Sequence, residues 1–480
     1  MQTYAALLLT LLLGPGVLWS QHPSEKRFAS MVSETILQRH VGSLVKFGNR
    51  WGGTPSGNKA AEYVAARFLE YGLDVEVIED PVRAVYVHSA WGLRIVKPAR
   101  LGRVFRYEWL AGFSPAVSRT TARLVDLEAD IPESDINGSV VLTDKFVPGD
   151  LYNDLVAEGA VAVLSFAPGD SGRYSDWAMI THLEATEKNT IPLFNISFRN
   201  GMKLRREMAG GGAGIEVEFS ARTQVSTGSP RTVVGTLKGS SDTFRIICAH
   251  GDSDAGGPGA DDNASGVAGV LELARVLSRM VNSGSVTGPR ESIKFIAWGA
   301  EYYSTENFVK DLGNGIQQVK SVINFDEIGF GATRNCLYFE SNDEPQNEEL
   351  LTVLNAVGEE YVGEKGFWDE ATTNPSQGGT DSYVFFPAYL ERLNVPAVSI
   401  PSVTVYTAAW NELKTIAQTP GWSSKAWKGH PDSVTIDFSP YYHSSRDIPG
   451  HTTEKEPFNM VWAVKATGIA TLRVAWGRGS

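Results

Sequence analysis

Along residues 58–71 the apolar side chains return every three to four positions. Ala60, Val64 and Phe68 form one stripe, Ala61 and Leu69 lie beside it, and Gly72 follows. That spacing predicts an amphipathic helix with a glycine stop. LDVEVI (73–78) then alternates with period two, the pattern of a half-buried strand. From Thr232 the texture is regular. FRIICA (244–249) is a continuous apolar run, as in a strand covered on both faces, and Val267 to Leu277 has helical spacing. SIKFIAW (292–298) and SVINF (321–325) read as further strands. Strands alternating with helices predict an α/β fold: a three-layer αβα sandwich around a mostly parallel, mixed sheet. In such sheets the site lies at the carboxyl ends of the strands.

The stretch from about Thr121 to Arg222 is different. It holds short apolar runs, SVVL (139–142) and VAVLSF (161–166), an amphipathic segment near 151–159, glycines at 210–212 and 214, and then IEVEF. A separate β-rich unit is expected over 121–222, inserted into a main domain formed by 21–120 and 223–480. A chain of 480 residues is long enough for two cores. Residues 5–19 are an apolar run of export-signal length, so residues 1–20 are expected to be a cleaved leader, with the mature chain starting near Gln21 and lying outside the cytoplasm, secreted or periplasmic. No later stretch is long and apolar enough to serve as a membrane anchor.

Charge narrows the function. The net charge is −12 with a sequence pI near 5.3, and no clustered basic surface is evident, which argues against nucleic acid as a partner. Cys248 and Cys336 are the two cysteines, too few for a disulfide framework or a thiolate zinc site. Asn137 and Asn195 stand in glycosylation-type triplets.

Polar residues then collect where strands end. His250-Gly251-Asp252-Ser253 follows the first of these strands, and Gly259-Ala260-Asp261-Asp262-Asn263 opens the next helix. Ala300-Glu301 and Asn324-Phe325-Asp326-Glu327 end two more strands, and Tyr441-Tyr442-His443-Ser444-Ser445-Arg446-Asp447 comes late in the chain. Histidines and carboxylates gathered at successive strand ends suit zinc, and a carboxylate outside the coordination shell can take a proton from water.

These residues resemble the co-catalytic zinc exopeptidases of the bacterial leucyl aminopeptidase type, whose relatives include carboxypeptidase Q, glutamate carboxypeptidase and the transferrin receptor ectodomain. RWGGTPSGNKAAEYVAARFLEYGLDVE (50–76), AHGDS with GADDNASGVAGVLELARVL, and GGTDSYVF (378–385) carry the likeness. NGSVVLTDKF and LVAEGAVAVLSF look like the protease-associated domain that many members insert. The resemblance implies that His250 and Asp326 hold one zinc, that Asp262 bridges to a second, and that His443 binds that second ion. It makes Glu301 the general base and Asp252 the carboxylate that orients His250. His451 is the alternative to His443.

One position departs from the family. Where it has two adjacent glutamates, the second a metal ligand, this chain reads Glu301-Tyr302. Tyr302, with a free pKa of ~10, is a poor ligand at neutral pH, and Glu306 is the other candidate to fill the gap. One zinc is therefore expected to bind tightly and a second weakly or not at all. The activity implied is that of a zinc exopeptidase, aminopeptidase or dipeptidase, acting on peptides. The alternative is an impaired relative serving as a binding or receptor-like ectodomain. Monomer and homodimer both stay open. His22, His40, His88, His182 and His430 lack ligand spacing and are expected to be structural. Trp410, Trp422 and Trp427 fall where the family builds its substrate pocket.

Overall fold

The computed structural model describes residues 22–102, 105, 108–129, 135–166, 175–185, 189–210, 214–253, 257–331, 345–368, 380–407 and 440–477, with the backbone alone of 336–339 and 370–373. The expected leader, Trp410, Trp422, Trp427 and His430 lie outside the described residues.

Three helices, α1 (Pro23–Met31), α2 (Glu34–Val45) and α3 (Pro55–Glu70), lead into strand β1 (Asp74–Glu79). Helix α3 starts earlier than the apolar stripe implied, because the Thr54 side chain accepts from the Gly57 N–H and Pro55 supplies a preset first turn. Seven strands follow in a second sheet: β2 (Arg83–Lys97), β3 (Trp109–Leu110), β4 (Val117–Asp126), β5 (Val140–Thr143), β6 (Ala162–Ser165), β7 (Leu193–Asn195) and β8 (Glu216–Gly228). Helices α4 (Asp150–Ala157) and α5 (Phe198–Ala209) belong to the same region. The chain then returns through β9 (Arg231–Leu237), β10 (Phe244–His250), α6 (Gly266–Asn282), β11 (Ser292–Trp298), α7 (Tyr303–Leu312) and β12 (Val319–Phe325). Strands β13 (Cys336–Phe339) and β14 (Glu370–Thr373) flank α8 (Glu348–Glu360). Helix α9 (Pro387–Arg392), β15 (Ser402–Val405) and α10 (Phe458–Ala475) complete the set.

The main sheet has the order β1-β9-β11-β10-β12-β15. Strands β11, β10, β12 and β15 run parallel, and β9 pairs antiparallel with both β1 and β11. Period-two alternation splits this sheet between two cores. Ile247, Ala249, Ile293, Phe295, Ile323 and Phe325 face helices α1, α2, α3, α6, α8 and α10. Ile246, Cys248, Ile296, Trp298 and Val322 face the smaller layer carrying Phe308, Val309, Val384 and Leu390. A sheet covered on both faces needs apolar residues in both registers, which is why FRIICA shows no alternation. Gly235 lets the α3 ring of Phe68 rest on the sheet, since a Cβ there would lie 2.7 Å from that ring.

The second sheet has the order β2-β8-β4-β5-β6-β7-β3. It starts at Arg83 and ends at Gly228, so it reaches beyond residues 121 and 222 on both sides. Residue 121 lies inside β4, and β2, which alone carries no distinct texture, pairs along its length with β8. The missing cue is physical: β2 is a mostly half-exposed strand, and its membership of the sheet is set by pairing with the distant β8.

Candidate functional site

Three parallel neighbours, β11, β10 and β12, deliver their carboxyl ends to one place. His250 is the last residue of β10, Asp326 follows β12 directly, and Glu301 comes just after β11. One ligand atom from each of His250, Glu301 and Asp326 lies within 4.8 Å of the others. Asp262, in the turn that opens α6, sits between two histidines. Its Oδ1 is 3.4 Å from His250 Nε2 and its Oδ2 is 3.0 Å from His443 Nε2. His250 Nε2 is also 3.5 Å from Asp326 Oδ1.

Each group is aimed by its neighbours. The Asp252 carboxylate meets His250 Nδ1 at 3.2 Å and accepts the Glu301 N–H at 3.1 Å. Asp252 thereby fixes the imidazole so that Nε2 points at the carboxylates. The Thr380 hydroxyl donates to Asp326 Oδ2 at 2.6 Å. Asp447 accepts the Asp261 and Asp262 N–H groups, at 2.8 and 3.0 Å, and so holds the turn. Gly266 is required beneath it, because a Cβ there would lie 2.2 Å from Asn263 Oδ1 and 2.6 Å from the Phe325 carbonyl. Arg50, fully buried, donates to the carbonyls of Gly251, Pro258 and Gly259 and thus ties together the loop between His250 and Asp262.

The electrostatics call for cations. Asp252, Asp261, Asp262, Asp326, Glu327, Asp381 and Asp447 are all at most 7% exposed, and the buried guanidinium beside them is that of Arg50. Burial disfavours the charged His250 ring, yet Glu301 and Asp326 outweigh it and hold its pKa well above the ordinary imidazole range. Burial, with Asp447 for Asp261 and Asp261 for Glu327, pushes both carboxyls up. Burial likewise raises Asp381 and Asp447 to about 7. So many buried carboxyls in contact are costly unless paired or bound to metal. Imidazole and carboxylate donors converging on Asp262 fit one or two zinc ions.

Tyr302, which stands where the resemblance leads one to expect a glutamate ligand, is engaged elsewhere. The Tyr302 ring packs against the apolar layer that includes Trp298 and Phe308, and is stacked parallel to Tyr389 at 6.4 Å. Burial, then the neighbouring Glu301 and Asp381, push its phenol up, so it stays protonated. Its N–H donates to Asp381 Oδ1 at 2.9 Å. Glu306 is also engaged elsewhere: the Tyr389 hydroxyl donates to it at 2.6 Å, and Lys310 and Arg392 lie 3.5 and 3.6 Å away. His451 has both ring nitrogens beside Arg446, at 3.0 and 3.1 Å, and is not brought to the cluster.

The second sheet reaches this centre. Met179 bridges Ser444, the Ile180 N–H donates to the His443 carbonyl, and Trp177 donates to Pro440 at 2.9 Å while stacking on Tyr441. These contacts hold His443 at a φ of 46°, a left-handed conformation costly for a side-chain-bearing residue. Arg50, Thr380 and Asp381 carry no local sequence signal of their role. Their partners stand scores of positions away, though each lies in a segment carrying the family likeness. Of the remaining histidines, His22 caps α1 and His40 sits between the Tyr63 and Tyr71 hydroxyls. His88 packs on Tyr86, and His182 packs edge-on against Trp51.

Residues 232–467 match the sequence profile of Peptidase family M28. A Mycobacterium tuberculosis protein, the "Probable lipoprotein aminopeptidase LpqL", is 27% identical over 459 residues, 89% of this chain and 84% of its own. The Pseudomonas aeruginosa protein named "Aminopeptidase" is 24% identical over 319 residues, and the match covers 61% of this chain and 56% of its own length. In fold, the chain is similar to BSAP, a zinc aminopeptidase from Bacillus subtilis, at TM-score 0.58 and 19% identity, covering 94% and 97% of the two chains.

Proposed function

Because this chain belongs to peptidase family M28, we propose that it is a zinc-dependent exopeptidase, an aminopeptidase or dipeptidase, whose chemistry is carried by the strand-end cluster. The observation behind this reading is the convergence of His250, Glu301 and Asp326 within 4.8 Å, with Asp262 set between His250 and His443. His250, Asp262 and Asp326 would hold one zinc. Asp262 and His443 would hold the second. When bound, zinc supplies Lewis acidity: it polarises a peptide carbonyl and acidifies water. Glu301, half-buried at the edge of the cluster, takes the proton of the attacking water and returns it to the leaving amine. Asp252 keeps the His250 ring oriented, and Thr380 does the same for Asp326.

The stacked ring of Tyr302 and the engaged Glu306 support one tight zinc and a second that is weak or absent, since two protein ligands are fewer than catalytic zinc sites usually provide. The second sheet is read as a protease-associated insert that covers the site and props the His443 loop. The expected leader and the lipoprotein relative favour an extracellular or envelope location, and no described helix is long and apolar enough to cross a membrane. The test pairs zinc content per chain with hydrolysis of a panel of aminoacyl p-nitroanilides and dipeptides. A fully zinc-loaded chain that turns over none of them would overturn the catalytic reading.

A further inference from the structure

Beside the cluster lies a cavity of about 690 Å³ that shares His443 with it and is also lined by Trp51, Arg83 and Tyr303. We propose that Arg83, on its wall, is a receptor for a substrate carboxylate, so that the peptides bound best carry an acidic group near the scissile bond. This deepens the exopeptidase reading and rests on it.

Arg83 begins β2, and its guanidinium carbon lies 4.8 Å from the Trp51 ring and 5.0 Å from the Tyr303 ring. Aromatic faces hold the planar group in place without consuming its N–H donors. Among the described residues Arg83 makes no ion pair. Arg205, by contrast, is tied to Asp126, Glu128 and Asp144. The rings are themselves fixed. Trp51 is 2% exposed, and the Tyr303 hydroxyl donates to the Pro81 carbonyl at 3.0 Å, just ahead of Arg83.

A second observation points the same way. Trp51 also lines the cavity, and its indole Nε1–H is buried without an acceptor among the described residues. A buried donor left unmatched is costly, and a ligand oxygen would satisfy it. A guanidinium fork and an indole N–H in an apolar-walled cavity match the lone pairs of a carboxylate. Glu184, the other formal charge on the wall, is exposed and forms no ion pair with Arg83. The carboxylate can be the terminal group of a short peptide or an acidic side chain, and the two sources are separable.

The probe is a reduced-amide leucyl-alanine dipeptide, which cannot be hydrolysed, offered as the free acid and as the carboxamide to the zinc-loaded protein in a calorimeter. The acid should bind roughly 10- to 100-fold more tightly than the amide, the range of charge-assisted hydrogen bonds. Arg83→Gln should shrink that ratio below about threefold, and Arg83→Lys should restore part of it. A reduced-amide leucyl-glutamate carboxamide that regains the affinity assigns the receptor to acidic side chains; one that does not assigns it to the terminal carboxylate. Equal binding by the unmodified protein of the leucyl-alanine acid, its carboxamide and the leucyl-glutamate carboxamide, or a preference for the carboxylate ligand that is unchanged in Arg83→Gln, overturns the proposal. Arg83→Lys carries the comparison if the glutamine variant does not fold. Because no turnover is read, loss of the catalytic reading leaves this result standing.

Discussion

Tyr302→Glu places a carboxylate where, in the proposed site, a second zinc would lack a third protein ligand. The change has two opposed consequences. It removes the parallel ring stack on Tyr389, worth about 0.5–1.5 kcal/mol beyond the area buried. It also sets a new charge beside Glu301 and Asp381, the groups that help to keep the Tyr302 phenol protonated. An unmatched buried charge adds about 1–3 kcal/mol or more, so the metal-free variant should be less stable by roughly 2–4 kcal/mol. Zinc offsets much of this loss. A ligand at 100 times its Kd contributes about 2.7 kcal/mol to stability, so the difference between zinc-loaded and chelated protein should widen by a similar amount in the variant. The assay is denaturant unfolding in zinc and in chelator, alongside zinc content by elemental analysis, on both proteins. The unmodified chain should retain one zinc through dialysis and the variant nearly two, with higher peptidase activity. Two tightly held zincs in the unmodified chain would refute the argument, as would a variant whose count stays at one.

Glu301→Gln should keep its zinc and lose about 10²–10⁴-fold in kcat, because an amide of nearly the same shape cannot accept the proton; an unaltered kcat in a metal-replete variant removes Glu301 from that role. His250→Ala should lose the tightly bound zinc, since two carboxylates bind it weakly at neutral pH, and full occupancy by elemental analysis would strike His250 from the ligands. His40 gives a pH prediction away from the centre. Burial lowers its pKa from 6.5 to about 4, so the unfolded chain binds the extra proton and stability falls as pH drops from about 6.5 to about 4. His40→Phe should flatten stability measured across that window, and an unchanged slope would show that His40 does not titrate on unfolding.

The strands and helices of the main sheet were legible because burial writes itself into period. A strand covered on both faces must be apolar throughout, and FRIICA and SIKFIAW became β10 and β11 within a residue of the reading. His250, Glu301 and Asp326 were legible for a related reason: each stands where an apolar run stops, and a parallel sheet brings such stops to one edge. The extent of the second sheet was not legible, since β2 is joined to it only by pairing with β8 across more than a hundred residues. Nor could local pattern assign Arg50, whose whole meaning lies in three carbonyls some 200 positions away. The sequence posed the question of Tyr302 by breaking a pair of glutamates, and left open which way the ring turns. Packing decided that: a ring next to the candidate cluster goes where it can stack, and Tyr389 and the apolar layer are assembled only when the chain is folded.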